Sequence, residues 1–156
     1  FRKKTSIAGY YPYNFEVSVL DFLNKASRRN FKVGLPVITR NYKMVFKYWS
    51  LNEPLYPNKY GILEPKSENL TFKPDIILVP LVAFDRNLNR IGYGKGYYDR
   101  ALGELSKNKK ILTIGIAFSF QEVSIIPTNK YDYNLDCILT NRNLIYKKNN
   151  ENFIFR

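Results

Sequence analysis

Asp75-Ile-Ile-Leu-Val-Pro-Leu-Val-Ala-Phe-Asp85, followed by Arg90-Ile-Gly-Tyr-Gly-Lys-Gly-Tyr-Tyr-Asp-Arg100, is the stretch from which the rest of the chain is read. The first segment is almost wholly apolar and does not alternate, as expected of a strand covered on both faces in a parallel sheet. It runs into a basic, tyrosine-rich turn in which Gly92, Gly94 and Gly96 recur at every second position. Glycines so spaced let backbone N–H groups approach an anion, and Arg90, Lys95 and Arg100 place positive charge beside it. The spacing matches neither a Walker sequence nor a dinucleotide fingerprint, and glycines at alternate positions also mark bulges and tight turns. The context, after a buried strand and at the start of a helix, points to the phosphates of a nucleotide.

Outward from this stretch, strands and helices alternate. Strands are expected over Ser6 to Tyr11, Phe31 to Val37 (closed by Pro36), Met44 to Trp49, Ile76 to Pro80, Ile111 to Ala117 and Leu135 to Thr140. Helices are expected over Val17 to Ala26, where Val17, Leu20 and Leu23 carry helical spacing, and over Tyr97 to Ser106. Asn52 to Pro57 reads as a loop, and Lys147 to Asn152 as a polar tail. The pattern specifies an α/β domain with a largely parallel sheet, and in such sheets ligands collect beyond the carboxyl ends of the strands. The segment from Phe84 to Asp99 falls there.

A chain of 156 residues, 45% apolar and 16% aromatic, makes a single domain over 1–156 with a substantial core. Lys and Arg number 25 against 13 Asp and Glu, a net +12, which attracts polyanions; nucleotides, nucleic acid and anionic cofactors all qualify, as does a solvated lysine surface with no such role. No recognisable nucleic-acid motif is present. The single Cys137 excludes an intrachain disulfide and fits a reducing, cytoplasmic setting; in its apolar surroundings it reads as a small core residue. The absence of histidine excludes imidazole-based triads. No apolar run reaches the roughly 18 residues needed to cross a bilayer, so no membrane role is expected.

Several residues carry two readings. Asp99 is a cap or first-turn acid at the helix start, or a ligand for Mg²⁺, which takes one or two carboxylates together with nucleotide phosphates. Glu16 is a first-turn acid, or a carboxylate reading the polar edge of a ligand. Tyr11, Tyr13 and Trp49 flank a flat ring or fill the core, with Trp49 the core residue of the three.

The ordered set Leu35-Pro36, Met44-x-Phe46 with Trp49, Gly61-Ile-Leu-Glu-Pro65, Asp75 to Pro80, Phe84-Asp85, Arg90 to Asp99, Ile126-Pro127 and Asp132-x-x-x-Asp136 resembles the 5-formyltetrahydrofolate cyclo-ligase (methenyltetrahydrofolate synthetase) family over residues 7–140. The resemblance implies a three-layer α/β fold of the NagB/RpiA/CoA-transferase type. It also implies ATP- and Mg²⁺-dependent conversion of 5-formyltetrahydrofolate, in its polyglutamylated form as well, to 5,10-methenyltetrahydrofolate, by a monomer. Carried over, ATP falls on Arg90, Ile91, Gly92, Tyr93, Gly94, Lys95, Gly96, Tyr97 and Tyr98, with Lys95 and Arg90 as the catalytic cations. Mg²⁺ falls on Asp99 and Asp136, and folate on Tyr11, Glu16, Tyr93 and Tyr97. The resemblance further implies a leading basic helix that contacts ATP; Arg2, Lys3 and Lys4 stand too close to the first strand to form it. A binding protein without turnover is the alternative, and a basic nucleic-acid module a more distant one.

Overall fold

The structure is a computed structural model that describes residues 5–147; Arg2, Lys3, Lys4 and most of the expected polar tail lie outside them. Eight strands form one sheet: β1 (Ser6–Ala8), β2 (Lys32–Ile38), β3 (Met44–Tyr48), β6 (Thr71–Phe72), β7 (Ile76–Pro80), β10 (Leu112–Ala117), β11 (Cys137–Thr140) and β12 (Leu144–Tyr146). Two small hairpins stand apart from it, β4 (Tyr56–Pro57) with β5 (Leu63–Glu64), and β8 (Ala83–Phe84) with β9 (Arg90–Ile91). The helices are α1 (Leu20–Arg28) and α2 (Tyr97–Asn108).

The order across the large sheet is β12-β11-β10-β7-β1-β2-β3-β6. Its five central strands, β11 through β2, run parallel; at the edges β12 pairs antiparallel with β11, β3 with β2, and β6 with β3. The apolar run at the centre behaves as its composition requires. Ile77 and Val79 of β7 face a core shared with Ala8 and with Leu102 of α2, while Ile76 and Leu78 face a second core shared with Ile7, Val33, Leu35 and with Leu23 and Ala26 of α1. One helix therefore covers each face of the sheet, giving three layers. Gly115 on β10 lies under the first of these cores, where a Cβ would stand 2.8 Å from Leu135 Cδ1 and 3.0 Å from Leu81 Cδ2. Packing, more than backbone conformation, calls for glycine there.

Strand β1 stops at Ala8, β11 starts at Cys137 and α2 runs on to Asn108, against the expected Tyr11, Leu135 and Ser106; three further departures have a local reason. Helix α1 begins at Leu20, three residues later than expected: the Tyr10 hydroxyl donates to the Val17 carbonyl at 2.7 Å, and Asn14 is left-handed with φ 51°, so the preceding segment is held as a loop. Strand β2 passes through Pro36 to Ile38. Bonds from Trp49 N to Val33 O and from Thr39 N to Lys43 O show that odd-numbered residues carry the ladder to β3. Pro36 therefore turns its missing N–H to the other side, where β1 has already ended, and removes no ladder bond. The segment expected as a loop contributes Tyr56–Pro57 to the β4–β5 hairpin.

Candidate active site

β1 is the point where the strand order reverses, since its two neighbours β2 and β7 lead the chain to opposite sides of the sheet. Backbone diverges on leaving such a strand, and a crevice opens at its carboxyl end. A cavity of about 650 Å³ occupies this place, and four pieces of chain build its walls.

The first wall is the segment after β1, with Tyr10, Tyr11, Tyr13 and Glu16. Glu16 Oε2 accepts a 2.8 Å bond from the Tyr13 backbone N–H, which fixes the carboxyl against its own turn. Burial pushes Glu16 up to about 7, only partly offset by that N–H, so the carboxyl exchanges a proton near neutrality and is able both to donate and to accept a hydrogen bond. The nearby phenol of Tyr98 lies well above its usual value, because of burial and then the charges of Glu16 and Tyr10.

The second wall forms where β2 outlasts β1. Pro36 and Ile38 line it, and the Ile38 N–H left open by the end of β1 donates to Glu64 Oε2 at 3.2 Å. Asn58 Nδ2 reaches the same oxygen at 3.1 Å, while Asn58 Oδ1 accepts from the N–H groups of Tyr60 at 2.8 Å and Ile62 at 3.2 Å. With Gly61 left-handed at φ 77°, these bonds close the β4–β5 hairpin and bring Tyr60 against the glycine loop, hydroxyl to hydroxyl with Tyr97 at 2.9 Å. Lys59 and Lys95 place their ammonium groups 4.8 and 5.7 Å from the centre of the Tyr60 ring. Asn58, Lys59, Tyr60 and Glu64 were not legible as a group from sequence; the turn signature Asn58-Lys-Tyr-Gly61 was the available signal.

The third wall is the glycine loop itself. Gly94 and Gly96 are both left-handed, φ 78° and 62°, conformations that other residues adopt only under strain. Gly96 is the N-cap of α2 and offers no side-chain cap, so the first-turn N–H groups of a 12-residue helix stand unblocked at the cavity wall. Beneath the loop, Arg90 Nη2 pairs with Asp99 Oδ1 at 2.8 Å with only 5% of the arginine side chain exposed. The Tyr133 N–H donates to the same Asp99 oxygen at 3.1 Å. Arg90 Nε is buried without a hydrogen-bond partner. A Cβ at Gly92 would stand 3.2 Å from Arg90 Nη1, so the loop lies directly on the guanidinium. Tyr93 meets Tyr13 edge to face, centroids 5.4 Å apart, and links this wall to the first. The fourth wall contains Ile126, Pro127, Asn129 and Asp132.

The structure thus gathers Tyr11, Glu16 and every residue from Arg90 to Asp99 around one cavity. It does not bring Asp136 there. That carboxylate sits at the amino end of β11, where Oδ2 accepts from the Thr113 N–H at 2.8 Å and the Thr113 hydroxyl at 2.7 Å, and it is not among the lining residues. Among the described residues no group of three or more acidic, His or Cys side chains is placed to hold a metal ion. Asp99 is the acidic side chain nearest the glycine loop at the cavity, and its Oδ1 is engaged by Arg90 and the Tyr133 N–H. Trp49 is a core residue, its indole N–H bonded to the Glu53 carbonyl at 3.1 Å. Burial and the neighbouring Asp136 push the Cys137 thiol up to about 12, so it stays protonated and unreactive. No described helix is long and apolar enough to cross a membrane.

Comparison with known proteins agrees with this architecture. Residues 1–141 match the 5-formyltetrahydrofolate cyclo-ligase family. A 5-formyltetrahydrofolate cyclo-ligase of Haemophilus influenzae is 35% identical over 145 residues, covering 88% of this chain and 76% of the relative. One from Mycoplasma genitalium is 36% identical over 137 residues, covering 87% and 72%. The solution structure of Aquifex aeolicus 5,10-methenyltetrahydrofolate synthetase superposes with a TM-score of 0.76 at 31% identity, over 94% of this chain and 73% of that one. An ordered motif set, a cavity at the sheet's reversal point and relatives alike over most of their length lead to one assignment: the chain belongs to the 5-formyltetrahydrofolate cyclo-ligase family.

Proposed function

We propose that this chain closes 5-formyltetrahydrofolate to 5,10-methenyltetrahydrofolate at the expense of ATP, releasing ADP and phosphate. The observation that carries the proposal is that an anion-binding helix start and an aromatic, carboxylate-bearing wall share one cavity, linked by the contact of Tyr93 with Tyr13. The phosphates take the backbone N–H groups of the glycine loop and Lys95. Arg90, fixed by Asp99, holds positive charge under the loop. Tyr11, Glu16, Tyr93 and Tyr97 receive the folate, with Glu16 toward the polar edge of the pterin. Mg²⁺, held through Asp99 and phosphate oxygens, would neutralise charge on the phosphates.

In this scheme the formyl oxygen attacks the γ-phosphorus and ADP departs, leaving a phosphorylated imidate. N10 then bonds to the same carbon and loses its proton, the C–O bond breaks, and phosphate leaves with the former formyl oxygen. The chain's own groups align the two substrates and stabilise charge; no step needs an imidazole. A monomer in a reducing cytoplasm is the proposed setting, with the net +12 charge drawing in folates that carry glutamate tails. The test is to mix the chain with 5-formyltetrahydrofolate, ATP and Mg²⁺ and follow the absorbance of the methenyl product, with an ATP-free control. Product only in the presence of ATP is expected; its absence with ATP and Mg²⁺ sinks the proposal.

A further inference from the structure

The β4–β5 hairpin supplies a whole wall of the main cavity, with Asn58, Tyr60, Ile62, Leu63 and Glu64 lining it. Yet little of it is packed. It pairs with no strand of the large sheet, its strands are two residues each, and every residue from Tyr56 to Glu64 is exposed or partly exposed. A two-stranded hairpin of this size is not stable on its own. Its position over the site depends on a few polar bonds.

Those bonds run in series, and Glu64 is the link to the sheet. Its Oε2 accepts from the Ile38 N–H at the end of β2 at 3.2 Å and from Asn58 Nδ2 at 3.1 Å. Asn58 Oδ1 passes the connection to the N–H groups of Tyr60 and Ile62. The Tyr60 hydroxyl then meets that of Tyr97 at the start of α2, 2.9 Å away. On the outer side Lys59 stands over the ring of Tyr42 at 3.6 Å, where Tyr42 is itself exposed. Without Glu64 the turn keeps its internal bonds to Asn58 but loses its carboxylate anchor.

We propose that Glu64 is a positioning residue that anchors this hairpin across the cavity and so keeps water from the phosphorylated intermediate. The inference rests on the proposed function, in which the phosphorylated imidate has two fates. Attack by N10 closes the ring. Attack by water on phosphorus breaks the P–O bond instead; its electron pair returns to the former formyl oxygen and restores the N-formyl group, phosphate leaves with the oxygen of water, and a proton is released. ATP is then consumed and no ring is formed. A wall that excludes water suppresses this second course.

The test uses Glu64→Ala and Glu64→Gln with two readouts. In hydrogen exchange followed by NMR without substrates, Glu64→Ala lets the Tyr60 and Ile62 amides exchange about tenfold faster, the factor expected for loss of one anchoring bond. Their acceptor is Asn58 and not the missing carboxylate, so the change reports the hairpin itself, while amides of β7 exchange as in the wild type. In turnover the wild type forms phosphate and methenyl product in equal amounts, and Glu64→Ala releases phosphate in excess, only when 5-formyltetrahydrofolate is present. Glu64→Gln keeps both readouts close to wild type, because its amide oxygen accepts the same two bonds. Tyr60→Phe removes only the hydroxyl at the far end of the series and uncouples in the same sense, a second measure should Glu64→Ala fail to fold. Unchanged exchange in Glu64→Ala overturns the inference, as do equal phosphate and methenyl product despite faster exchange. An excess of phosphate that is the same without the folate overturns it too, since water would then attack ATP itself. A wild type that forms no methenyl product removes the proposed function, whereas exchange needs no substrate and still decides whether Glu64 anchors the hairpin, so the two fail separately.

Discussion

Two turns that follow β7 solve opposite problems. In the turn from Asp85 to Asn89, the carboxylate of Asp85 is fully buried and completely engaged. Oδ1 accepts from the N–H groups of Asn87 and Asn89, and Oδ2 from Asn89 Nδ2 and the Ile126 N–H, at 2.9 to 3.1 Å. Burial raises its pKa, but the bonds from Asn89, Ile126 and Asn87 outweigh burial and hold it below the usual carboxylate value. In the turn from Gly92 to Gly96, donors face a cavity, two glycines are left-handed and the following helix begins without a side-chain cap. A charge that is satisfied inside the fold stabilises it, whereas donors left open are available to a ligand. Charge and burial alone would have made Asp85 look as functional as Lys95.

The comparison breaks most readily at its ends. Lys95→Ala is expected to lower kcat/KM by about 10² to 10³, the usual consequence of removing a cation aimed at transferring charge, with an unchanged melting temperature. A variant of near-normal kcat/KM would remove Lys95 from the phosphate site. Asp85→Ala should act in the reverse sense, destabilising the fold by about 3 kcal/mol because three backbone N–H groups lose their acceptor, that of buried Ile126 among them. Denaturant titration measures this, and a stability within error of wild type would show that the closed turn is not held by its carboxylate.

Smaller effects sharpen the picture. Gly94→Ala puts a side chain in a left-handed position with nothing within 4 Å of its Cβ, so strain alone is added, about 1 kcal/mol. The account expects a rise in KM for ATP larger than the change in stability, since the N–H groups shift with the backbone; equal KM with reduced stability would make the loop merely structural. Glu16→Gln gives the smallest signal and the most diagnostic pH dependence. Because the folded pKa of Glu16 is about 7 against an ordinary 4.5, its contribution is fully present below 4.5 and is lost as pH rises through 7. The variant's melting temperature should therefore gain on that of wild type from acid toward alkaline pH, while its KM for folate rises more than its KM for ATP. A pH-independent difference would contradict the placement of this carboxyl.

Much of this was legible in the sequence because local and long-range signals coincided. The unbroken apolar run Ile76–Pro80 and the start of α2 at Tyr97 both stand where read, one dictated by double-sided burial and the other by glycine spacing. Glu16 was nameable through the family resemblance, but its elevated pKa arises from burial that only the fold creates. The hairpin bearing Asn58, Tyr60 and Glu64 was hidden for another reason: its strands are two residues each, too short for periodicity, and side-chain bonds from Asn58 hold it. Asp136 shows the limit of transferring positions by motif. Its place in the pattern says nothing of the Thr113 backbone and hydroxyl that engage it at the far end of the strand.

The central claim is that one cavity holds the phosphates and the formyl group in contact, and an isotope transfer tests it most directly. With the formyl oxygen of 5-formyltetrahydrofolate labelled by a heavy isotope, a single turnover with ATP and Mg²⁺ followed by mass spectrometry of the released phosphate reads where that oxygen goes. The account predicts one labelled oxygen per phosphate, formed in step with the methenyl product. Methenyl product accompanied by unlabelled phosphate would contradict attack of the formyl oxygen on ATP, and with it the joint site at the carboxyl end of β1.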